Sequence, residues 1–319
     1  MRVLVQAPDP APLAAQLSAA FPAIDAHQCA NYIDLPRLLS ELRPDAVYSM
    51  RYAGTGPFPA AALTGPDGPR WLASAGVGVD HLGSWDPARL TVTNAAGIAA
   101  PVMAEFILGG FLHFTLDHTG LIADKAARLW RADRLVRALH GATLLIVGLG
   151  STGQALATRA KALGMRVIGT RARPQPMEGI DRVFAAEDLP QALPQADFIA
   201  VCVPLTPATR GLIGAAEIAR MRPGAVFADV SRGGVTDQAA LLDALNSGHV
   251  AGAVLDVFET EPLPPESPLW QAPNTLISPH ASAVFDGWQD ASFGLFLDNF
   301  ARFTKGQPLV NVVDPERGY

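Results

Sequence analysis

The middle of the chain reads LLIVGLGSTG over residues 144–153. Four apolar residues run directly into a G-x-G-x-x-G turn, and helix-forming residues follow over 154–163. In this strand–turn–helix setting the first glycine allows a tight turn, the second admits a pyrophosphate, and the third lets helix and strand pack closely. The helix start adds unpaired N–H groups that attract an anion. We therefore predict a dinucleotide site rather than a glycine-rich turn without a ligand. Its residues are Gly148, Gly150, Ser151, Thr152 and Gly153.

The next predicted strand, 166–170, indicates which dinucleotide binds. A site for NAD usually carries Asp or Glu about 20 residues further on, where the carboxylate binds the ribose 2′-hydroxyl. Here Thr170 is followed by Arg171 and Arg173, and no carboxylate occurs before Glu178. Arginine would instead attract a 2′-phosphate through charge-assisted hydrogen bonds. We predict that Thr170, Arg171 and Arg173 contact the cofactor and that NADP(H) is preferred, with NAD(H) possible. Two arginines in a solvated loop are the alternative.

Composition narrows the class of protein. The chain has 319 residues, enough for about two domains. Hydrophobic residues make up 49% and charged residues only 17%, which excludes a disordered or charge-driven binding protein. The net charge of −6 opposes binding to a phosphate backbone, so we expect a small ligand and no nucleic acid.

The cysteines and the apolar stretches bear on compartment. Cys29 and Cys202 can build neither a disulfide framework nor a four-cysteine zinc site, so we expect reduced thiols and no metal. The N-terminus has no signal-peptide pattern, and the most apolar stretch, 95–114, is interrupted by Pro101 and Glu105. We expect a soluble, cytoplasmic protein without a membrane partner.

Strand-like and helical runs alternate along the chain, which is typical of parallel sheets covered by helices. Most of the strands are continuously apolar, as expected for strands buried on both faces. The predicted strands are 3–6, 46–50, 70–75, 91–94, 144–147, 166–170, 198–203, 225–230, 251–256 and 275–277. The predicted helices are 12–20, 36–42, 101–118, 152–163 and 236–246, the last beginning at Thr236 with Asp237 in its first turn.

The position of the glycine turn predicts the order of the domains. It lies near residue 150 rather than near residue 10, so a first α/β domain precedes it. We predict an α/β protein with two Rossmann-like domains, one flavodoxin-like and one dinucleotide-binding, each with a parallel sheet, and a cleft between them. The discontinuous substrate-binding domain comprises 1–98 and 283–319. The dinucleotide-binding domain comprises 99–282.

Three polar residues follow predicted strands after the glycine turn: Arg232, Glu261 and His280. Ligands of α/β sheets bind at the carboxyl ends of strands. Arginine matches a carboxylate through two parallel hydrogen bonds, and histidine donates and accepts protons near neutral pH. A carboxylate beside the histidine would hold its ring and favour its charged form. Taken singly, each residue could also be a surface ion-pair partner, a solvated acid or a packed histidine.

These motifs together resemble the D-2-hydroxyacid dehydrogenase family over nearly the whole chain. The matching segments are AGVGVDH (75–81), NAAGI (94–98), AE (104–105), the glycine turn, VPLTPATRGLI (203–213), SRGG (231–234), DVF through EP (256–262) and SPH (278–280). The resemblance implies a catalytic triad in which His280 is the acid/base, Glu261 its partner and Arg232 the substrate anchor. It further implies that the backbone N–H groups of Val77 and Gly78 bind the substrate carboxylate.

The resemblance also extends to the cofactor and the assembly. It implies cofactor contacts from Val203, Pro204, Thr209, Val230, Ser231 and Asp256. Family members are usually homodimers, which places helix 101–118 in an interface. The arginine at position 171 makes the chain similar to the NADP-preferring glyoxylate/hydroxypyruvate reductases of the family.

Some residues stay open at this point. Arg51, in the segment 50–54, is a candidate substrate ligand, with a structural role as the alternative. Trp130 and Trp288 could cover the cleft, but core packing is the prediction for both. The physiological 2-oxo acid is open among glyoxylate, hydroxypyruvate, pyruvate, phenylpyruvate and branched acids.

Competing classes can be tested on the residues. No tyrosine among Tyr32, Tyr48, Tyr52 and Tyr319 has lysine four positions later, which excludes a short-chain reductase. Two cysteines cannot supply both sites of a zinc alcohol dehydrogenase. Glu261 stands where a formate dehydrogenase would carry glutamine. The alternative that shares the fold is a dinucleotide-sensing, corepressor-like binding protein with little turnover.

Overall fold

The computed structural model describes residues 1–52, 56–315 and 317–318. Of the predicted segment 50–54, Ala53 and Gly54 lie outside these residues. The chain divides into two compact units, Met1–Ile98 with Asp286–Tyr319, and Ala99–Phe285. Both units contain one sheet, and all strands within each sheet are parallel, which confirms the predicted fold class.

The first unit has a five-stranded sheet in the order β2-β1-β3-β4-β5. Its strands are β1 (Arg2–Gln6), β2 (Asp25–Cys29), β3 (Ala46–Ser49), β4 (Trp71–Ser74) and β5 (Thr91–Thr93). Its helices are α1 (Ala11–Ala20), α2 (Leu35–Leu42), α3 (Ala60–Thr64) and α10 (Trp288–Thr304). Because strand side chains alternate, α1 and α10 pack on one face of the sheet and α2 and α3 on the other.

The C-terminal helix α10 belongs to the core of this first unit. Phe293, Phe296 and Phe300 of α10 are buried, and Trp71 stacks on Phe296 with 5.2 Å between ring centroids. Ser292 of α10 donates its hydroxyl to the carbonyl oxygen of Ala75 at 2.9 Å. The first unit is therefore built from both ends of the chain.

The second unit has a seven-stranded sheet in the order β12-β11-β10-β9-β6-β7-β8. Its strands are β6 (Thr143–Val147), β7 (Arg166–Arg171), β8 (Arg182–Ala185), β9 (Phe198–Val201), β10 (Ala225–Asp229), β11 (Val250–Leu255) and β12 (Thr275–Ile277). Its helices are α4 (Ala100–Thr115), α5 (His118–Ala127), α6 (Ser151–Ala162), α7 (Leu189–Ala192), α8 (Ala215–Arg220) and α9 (Gln238–Asn246). Helices α4 and α6 pack on one face, and α7, α8 and α9 on the other.

The predicted helix 101–118 was wrong in length. Helix α4 ends at Thr115, a second helix begins at His118, and the two axes differ by 54°. Asp117 separates them with a left-handed φ of 50°, and its side chain accepts a hydrogen bond from the N–H of Gly120 as the N-cap of α5. Leu116 thus ends the first helix, and Asp117 caps the second.

The start of α9 also differs from the prediction. The helix begins at Gln238, and Asp237 is its N-cap, with the side chain accepting a hydrogen bond from the N–H of Ala240. Thr236 lies outside the helix and donates its hydroxyl to the Asp229 carboxyl. Strands β2 and β8 were not predicted: both are short edge strands, β2 with the polar sequence DAHQC and β8 with the sequence RVFA, of which only Phe184 is fully buried.

No single helix of the described chain is long and apolar enough to cross a membrane. Helices α4 and α5 satisfy the length and composition criteria only when taken together as a bent pair.

Candidate active site

The carboxyl ends of the seven strands in the second unit share one edge of the sheet, because all seven strands are parallel. From the neighbouring strands β6 and β9, the chain adds later strands outward in opposite directions: β7 and β8 on one side, and β10, β11 and β12 on the other. Ligands of such sheets bind beside the point where the direction changes. The glycine turn follows β6, and the residues of the predicted triad follow β10, β11 and β12. The predicted cofactor and catalytic residues of this unit therefore lie along a single edge.

The glycine turn has the geometry that its sequence predicts. Gly148 adopts a φ of 102°, and a Cβ there would lie 2.7 Å from Val203 Cγ1. A Cβ on Gly153 would lie 2.2 Å from the carbonyl oxygen of Gly148. Both positions exclude larger side chains, so the turn joins β6 and α6 at closer range than any other residue would allow.

The turn leaves a row of backbone donors available. Helix α6 begins at Ser151 without a side-chain cap, and its first hydrogen bond runs from the N–H of Gln154 to the carbonyl of Gly150. Within the described part of the chain, the N–H groups of residues 150–153 have no acceptor. A Cβ on Gly150 would meet nothing within 4 Å, so this side of the turn is open. These features fit a pyrophosphate at the helix N-terminus.

Arg171 and Arg173 lie beside this turn. Thr170 of β7 is buried, and its carbonyl accepts the N–H of Leu149 from the turn at 3.2 Å. The half-buried Arg171 follows directly and places Nη1 3.5 Å from the sulfur of Met177, whereas Arg173 is exposed. No carboxylate of the described residues forms an ion pair with either guanidinium. Two cations without an acidic partner thus follow the strand that neighbours the glycine turn.

The loops after β9 and β10 complete the edge around the glycine turn. Thr209 donates its hydroxyl to the carbonyl of Pro204 at 2.6 Å and accepts the N–H of Thr206, which closes the loop after Val203. Val230 and Ser231 are buried immediately after β10. The Thr209 and Ser231 hydroxyls are thus used within the protein, and their contact with a cofactor stays a prediction.

The pair of His280 and Glu261 is formed in this structure. His280 follows β12 in a left-handed conformation with φ 54°. Its Nδ1 lies 2.8 Å from Glu261 Oε2, and Glu261 Oε1 accepts the N–H of Phe258 at 3.0 Å. About a third of each side chain is exposed, 38% for His280 and 34% for Glu261. The described residues offer no partner to the other ring nitrogen, Nε2, which can therefore face a ligand.

The surroundings of Glu261 keep it ionised. Partial burial raises the pKa of this carboxyl, but the hydrogen bonds from His280 and from the Phe258 N–H lower it more. The charges of His280 and Arg232 act in the same direction, and the net pKa lies below the ordinary value of 4.5. Glu261 is accordingly an anion throughout the neutral range.

Arg232 lies on the turn after β10. Its Nη1 donates to the carbonyl of Ser231 at 2.7 Å, and its own carbonyl accepts the N–H of Val235 at 3.2 Å. The turn packs directly on the next loop, since a Cβ on Gly233 would come within 1.9 Å of the Phe258 carbonyl oxygen. The structure therefore brings the predicted triad to three contiguous loops at one edge of the sheet.

Two buried carboxyl groups support these loops, and sequence reasoning missed one of them. Asp229, the last residue of β10, accepts hydrogen bonds from the N–H and the hydroxyl of Ser231 and from the hydroxyl of Thr236. Asp256, which was predicted at the cofactor, follows β11 and binds the backbone just after His280. A polar residue at the end of each continuously apolar strand was the available signal.

The first unit carries the predicted substrate ligands. Val77 and Gly78 follow β4, and in the described chain neither backbone N–H has an acceptor, while the Val77 carbonyl accepts Asn94 Nδ2 at 2.8 Å. Arg51 follows the neighbouring strand β3 and is exposed. An anion-binding position at this sheet edge fits these donors.

The two tryptophans behave differently from each other. Trp288 is partly buried against the core of the first unit, as predicted. The prediction of core packing is wrong for Trp130, which is 95% exposed in the segment after α5. Among the described residues, no group of three or more His, Cys, Asp or Glu side chains could hold a metal ion.

An anion-binding glycine turn and a His–Glu–Arg group on one parallel sheet define a dinucleotide-dependent oxidoreductase. Residues 114–282 match the family model described as D-isomer specific 2-hydroxyacid dehydrogenase, NAD binding domain. The chain belongs to this family and is an NAD(P)-dependent D-2-hydroxyacid dehydrogenase. The domain that carries the turn therefore binds a nicotinamide dinucleotide.

Individual relatives agree with this assignment. A glyoxylate reductase of Korarchaeum cryptofilum is 32% identical over 267 residues, which cover 77% of this chain and 76% of the relative. A D-isomer specific 2-hydroxyacid dehydrogenase family protein from Aeromonas salmonicida is 34% identical, with a TM-score of 0.86 and coverage of 98% and 99%. The NADPH-dependent glyoxylate/hydroxypyruvate reductase of Sinorhizobium meliloti, solved with NADP and sulfate, is 30% identical, with a TM-score of 0.84 and coverage of 100% and 99%.

Proposed function

We propose that the protein uses NADPH to reduce the C2 carbonyl of a small 2-oxo acid, of the glyoxylate or hydroxypyruvate type, to the D-2-hydroxy acid. The observation that carries this proposal is the 2.8 Å contact between His280 Nδ1 and Glu261 Oε2, beside Arg232, at the sheet edge that also bears the glycine turn. A proton donor, a cation for the substrate and an anion-binding turn are the groups that such a reduction requires.

The substrate is held by its carboxylate in this proposal. Arg232 binds it through the planar guanidinium, which matches a carboxylate in two parallel hydrogen bonds. For the first unit, we propose the N–H groups of Val77 and Gly78 as ligands of a substrate carboxylate and Arg51 as a further substrate ligand. In this proposal the substrate-binding domain comprises 1–98 and 283–319 and the dinucleotide-binding domain 99–282; the compact units differ from this division by three residues at the second boundary.

His280 supplies the proton. Glu261 engages Nδ1, so the ring presents Nε2–H to the carbonyl oxygen of the substrate. As negative charge develops on that oxygen, the imidazolium donates its proton, and the ionised Glu261 stabilises the charged ring beforehand. In the reverse direction the neutral ring accepts the proton of the hydroxyl group. A positioned acid/base of this kind contributes roughly 10²–10⁴-fold to the rate.

The reduced cofactor, when bound, supplies the hydride that the carbonyl carbon accepts. Residues 150–153 would bind its pyrophosphate, and Arg171 and Arg173 its 2′-phosphate, since no acid pairs with them among the described residues. The loops with Val203, Pro204 and Thr209, and with Val230, Ser231 and Asp256, would line the rest. The reductase from S. meliloti, named as NADPH-dependent and solved with NADP, supports this choice of cofactor and substrate.

The active form in this proposal is a homodimer. The large apolar residues exposed after α4 are concentrated on α5 and the segment that follows it: Leu121, Ile122, Leu129, Trp130, Leu135 and Val136. A patch of this kind marks a protein contact. Seven of the sixteen residues of α4 are buried, and the contact predicted over 101–118 stays part of this proposal, extended by these residues.

A panel of 2-oxo acids assayed with NADPH and with NADH tests the proposal. We expect turnover of glyoxylate or hydroxypyruvate, a D-configured product wherever the product is chiral, and a higher kcat/KM with NADPH. Equal or better kcat/KM with NADH would refute the cofactor preference. Tight NADPH binding without turnover of any acid would instead indicate a dinucleotide sensor.

A further inference from the structure

The carboxylate of Asp256 is buried directly beneath the loop that carries His280. Its side chain follows β11 and is 1% exposed. One oxygen accepts the N–H of Ala281 at 2.8 Å, and both lie within 3.2 Å of the N–H of Ser282, whose hydroxyl also donates to the carboxylate. The donors thus belong to the two residues that follow His280. No arginine or lysine of the described chain forms an ion pair with this carboxylate.

The carboxyl group of Asp229 has the same relation to the turn that carries Arg232. It ends β10 and is 3% exposed. It accepts the N–H of Ser231 at 2.9 Å, together with the Ser231 hydroxyl, while its other oxygen accepts the Thr236 hydroxyl at 2.6 Å. These donors flank the turn of residues 232–235 on both sides. Burial raises the pKa of this carboxyl, and the neighbouring charge of Asp256 acts in the same direction.

The two carboxyl groups are neighbours in the sheet. The N–H of Asp256 donates to the carbonyl of Asp229 at 3.0 Å, at the carboxyl ends of the paired strands β10 and β11. A buried carboxyl is costly unless hydrogen bonds compensate it. Here the side-chain oxygens of both residues accept hydrogen bonds from the segments that carry Arg232 and His280. His280 itself has a left-handed φ, so its loop needs such support.

We propose that Asp256 and Asp229 are positioning residues, Asp256 for the ring of His280 and Asp229 for the guanidinium of Arg232. Asp229 ends β10 and Asp256 follows β11, and each carboxyl group accepts hydrogen bonds from the loop that begins there or from the neighbouring one. The role of His280 and Arg232 in catalysis rests on the proposed function, whereas the hydrogen bonds that position them do not.

The proposal predicts that the two carboxyl groups affect different kinetic constants, Asp256 mainly kcat and Asp229 mainly KM. Asp256→Asn keeps the size of the side chain but turns one acceptor into a donor that opposes Ser282. Misplacement of the acid/base should lower kcat on the order of 10²-fold, with little change in the KM of the 2-oxo acid. Asp229→Asn should chiefly raise the KM of the 2-oxo acid, about tenfold, because it displaces the substrate anchor.

Milder variants remove one donor from each network and keep the carboxyl group. Ser282→Ala should lower kcat about threefold to tenfold, and Thr236→Val should raise KM by a similar factor. The double variant Asp256→Asn with Ser282→Ala should be no worse than Asp256→Asn alone, since both changes act on one loop. The matched control is Asp197→Asn, at the opposite edge of the same sheet, where the carboxylate binds Thr143, Arg137 and Arg222.

A second readout needs neither cofactor nor substrate. NMR of ¹⁵N-labelled histidine reports the hydrogen bond between His280 Nδ1 and Glu261. We expect this signal to change in Asp256→Asn and Ser282→Ala, and to stay as in the wild type in Asp229→Asn and Asp197→Asn. This arm gives its answer even if no 2-oxo acid is turned over, so it separates a failure of the positioning from a failure of the proposed function.

Three results would overturn the inference. An unchanged histidine signal in both Asp256→Asn and Ser282→Ala would show that this carboxylate does not set the ring. Additive losses of kcat in the double variant would show that Asp256 and Ser282 do not act through one loop. Equal changes of kcat and KM in the Asp229 and Asp256 variants would contradict the separate assignment of Asp256 to His280 and of Asp229 to Arg232. Should Asp256→Asn fail to fold, Ser282→Ala decides the first point alone.

Discussion

The edge of the seven-stranded sheet has two halves that are built differently. The half after β6 and β7, which we call the binding half, carries the residues proposed to bind the cofactor: the backbone N–H groups of the glycine turn, Arg171 and Arg173. The half after β10, β11 and β12, which we call the catalytic half, carries the residues proposed for catalysis, Arg232, Glu261 and His280, on loops tied to buried carboxyl groups. The binding half depends on local backbone shape, and the catalytic half on contacts between distant segments.

This difference has a physical reason. A pyrophosphate is large and highly charged, so a helix N-terminus with open N–H groups suffices to bind it. Proton transfer needs one nitrogen within hydrogen-bond reach of one oxygen, and an error of about 1 Å costs on the order of 10²-fold in rate. Side chains of the catalytic half therefore need second partners, and changes in the two halves should have separable effects.

The largest separable effect is expected from the acid/base. His280→Ala should lower kcat by about 10²-fold or more, because the developing oxyanion loses its proton donor. The affinity for NADPH should stay within about twofold, since the glycine turn is untouched. Steady-state kinetics and fluorescence titration with NADPH measure the two quantities.

A matched control exists for this variant. His249→Ala changes a histidine that precedes β11, at the opposite edge of the same sheet, where its ring contacts the carbonyl of Ile218. It should leave kcat within about threefold. An unaltered kcat in His280→Ala would remove His280 from the mechanism, and a parallel loss of NADPH affinity would show that the two halves are not separable.

The substrate anchor should have the next largest effect. Arg232→Ala removes a charge-assisted pair with the substrate carboxylate and should raise the KM of the 2-oxo acid roughly 10- to 100-fold, with a smaller loss in kcat. Arg232→Lys should recover only part of the loss, because an ammonium group cannot form the planar double hydrogen bond. A lowered free energy of unfolding with normal KM would point instead to a structural arginine.

The binding half is tested by a change of charge. Arg171→Asp should lower kcat/KM for NADPH about tenfold or more, because an acid repels the 2′-phosphate. It should raise kcat/KM for NADH, so the ratio of kcat/KM for NADPH to that for NADH falls. Lys161→Asp, on the outer surface of α6, is the charge control and should leave the ratio unchanged. An unaltered NADPH/NADH ratio in Arg171→Asp would leave the 2′-phosphate site without support.

The smallest effect concerns pH. The pKa of Glu261 is lowered in the folded protein, so its ionisation stabilises the fold above the ordinary value of 4.5, and this contribution is lost as pH falls through the lowered value. The difference in unfolding free energy between the wild type and Glu261→Gln should therefore be constant at neutral pH and shrink below about pH 4.5. Urea unfolding at several pH values measures it, and a difference that grows in acid would contradict the assignment.

More of the binding half than of the catalytic half could be predicted from the sequence alone. The glycine turn could be read from LLIVGLGSTG alone, because strand, turn and helix are contiguous there. Arg232, Glu261 and His280 could be named from their place after apolar strands and from the resemblance to the family. The resemblance also named Glu261 as the partner of His280, but the residues alone leave this pairing open, because the two are 19 positions apart and meet only through the neighbouring strands β11 and β12.

Other features escaped the sequence for similar reasons. Thr236 was predicted to begin a helix. Its hydroxyl instead donates a hydrogen bond to the buried Asp229, and Asp237 is the N-cap of α9. Trp130 looked like a core residue by type, yet it lies exposed after the break between α4 and α5. Strands β2 and β8 are short edge strands: polar residues interrupt the apolar pattern of β2, and the four residues of β8 are too few to show one.

A crystal structure with NADPH and oxamate, an unreactive analogue of a 2-oxo acid, tests the central claim most directly. We expect the carbonyl oxygen of oxamate within hydrogen-bond distance of His280 Nε2 and its carboxylate on the Arg232 guanidinium. The pyrophosphate should lie on the N–H groups of residues 150–153. Oxamate bound away from His280, or a pyrophosphate away from the glycine turn, would contradict the account.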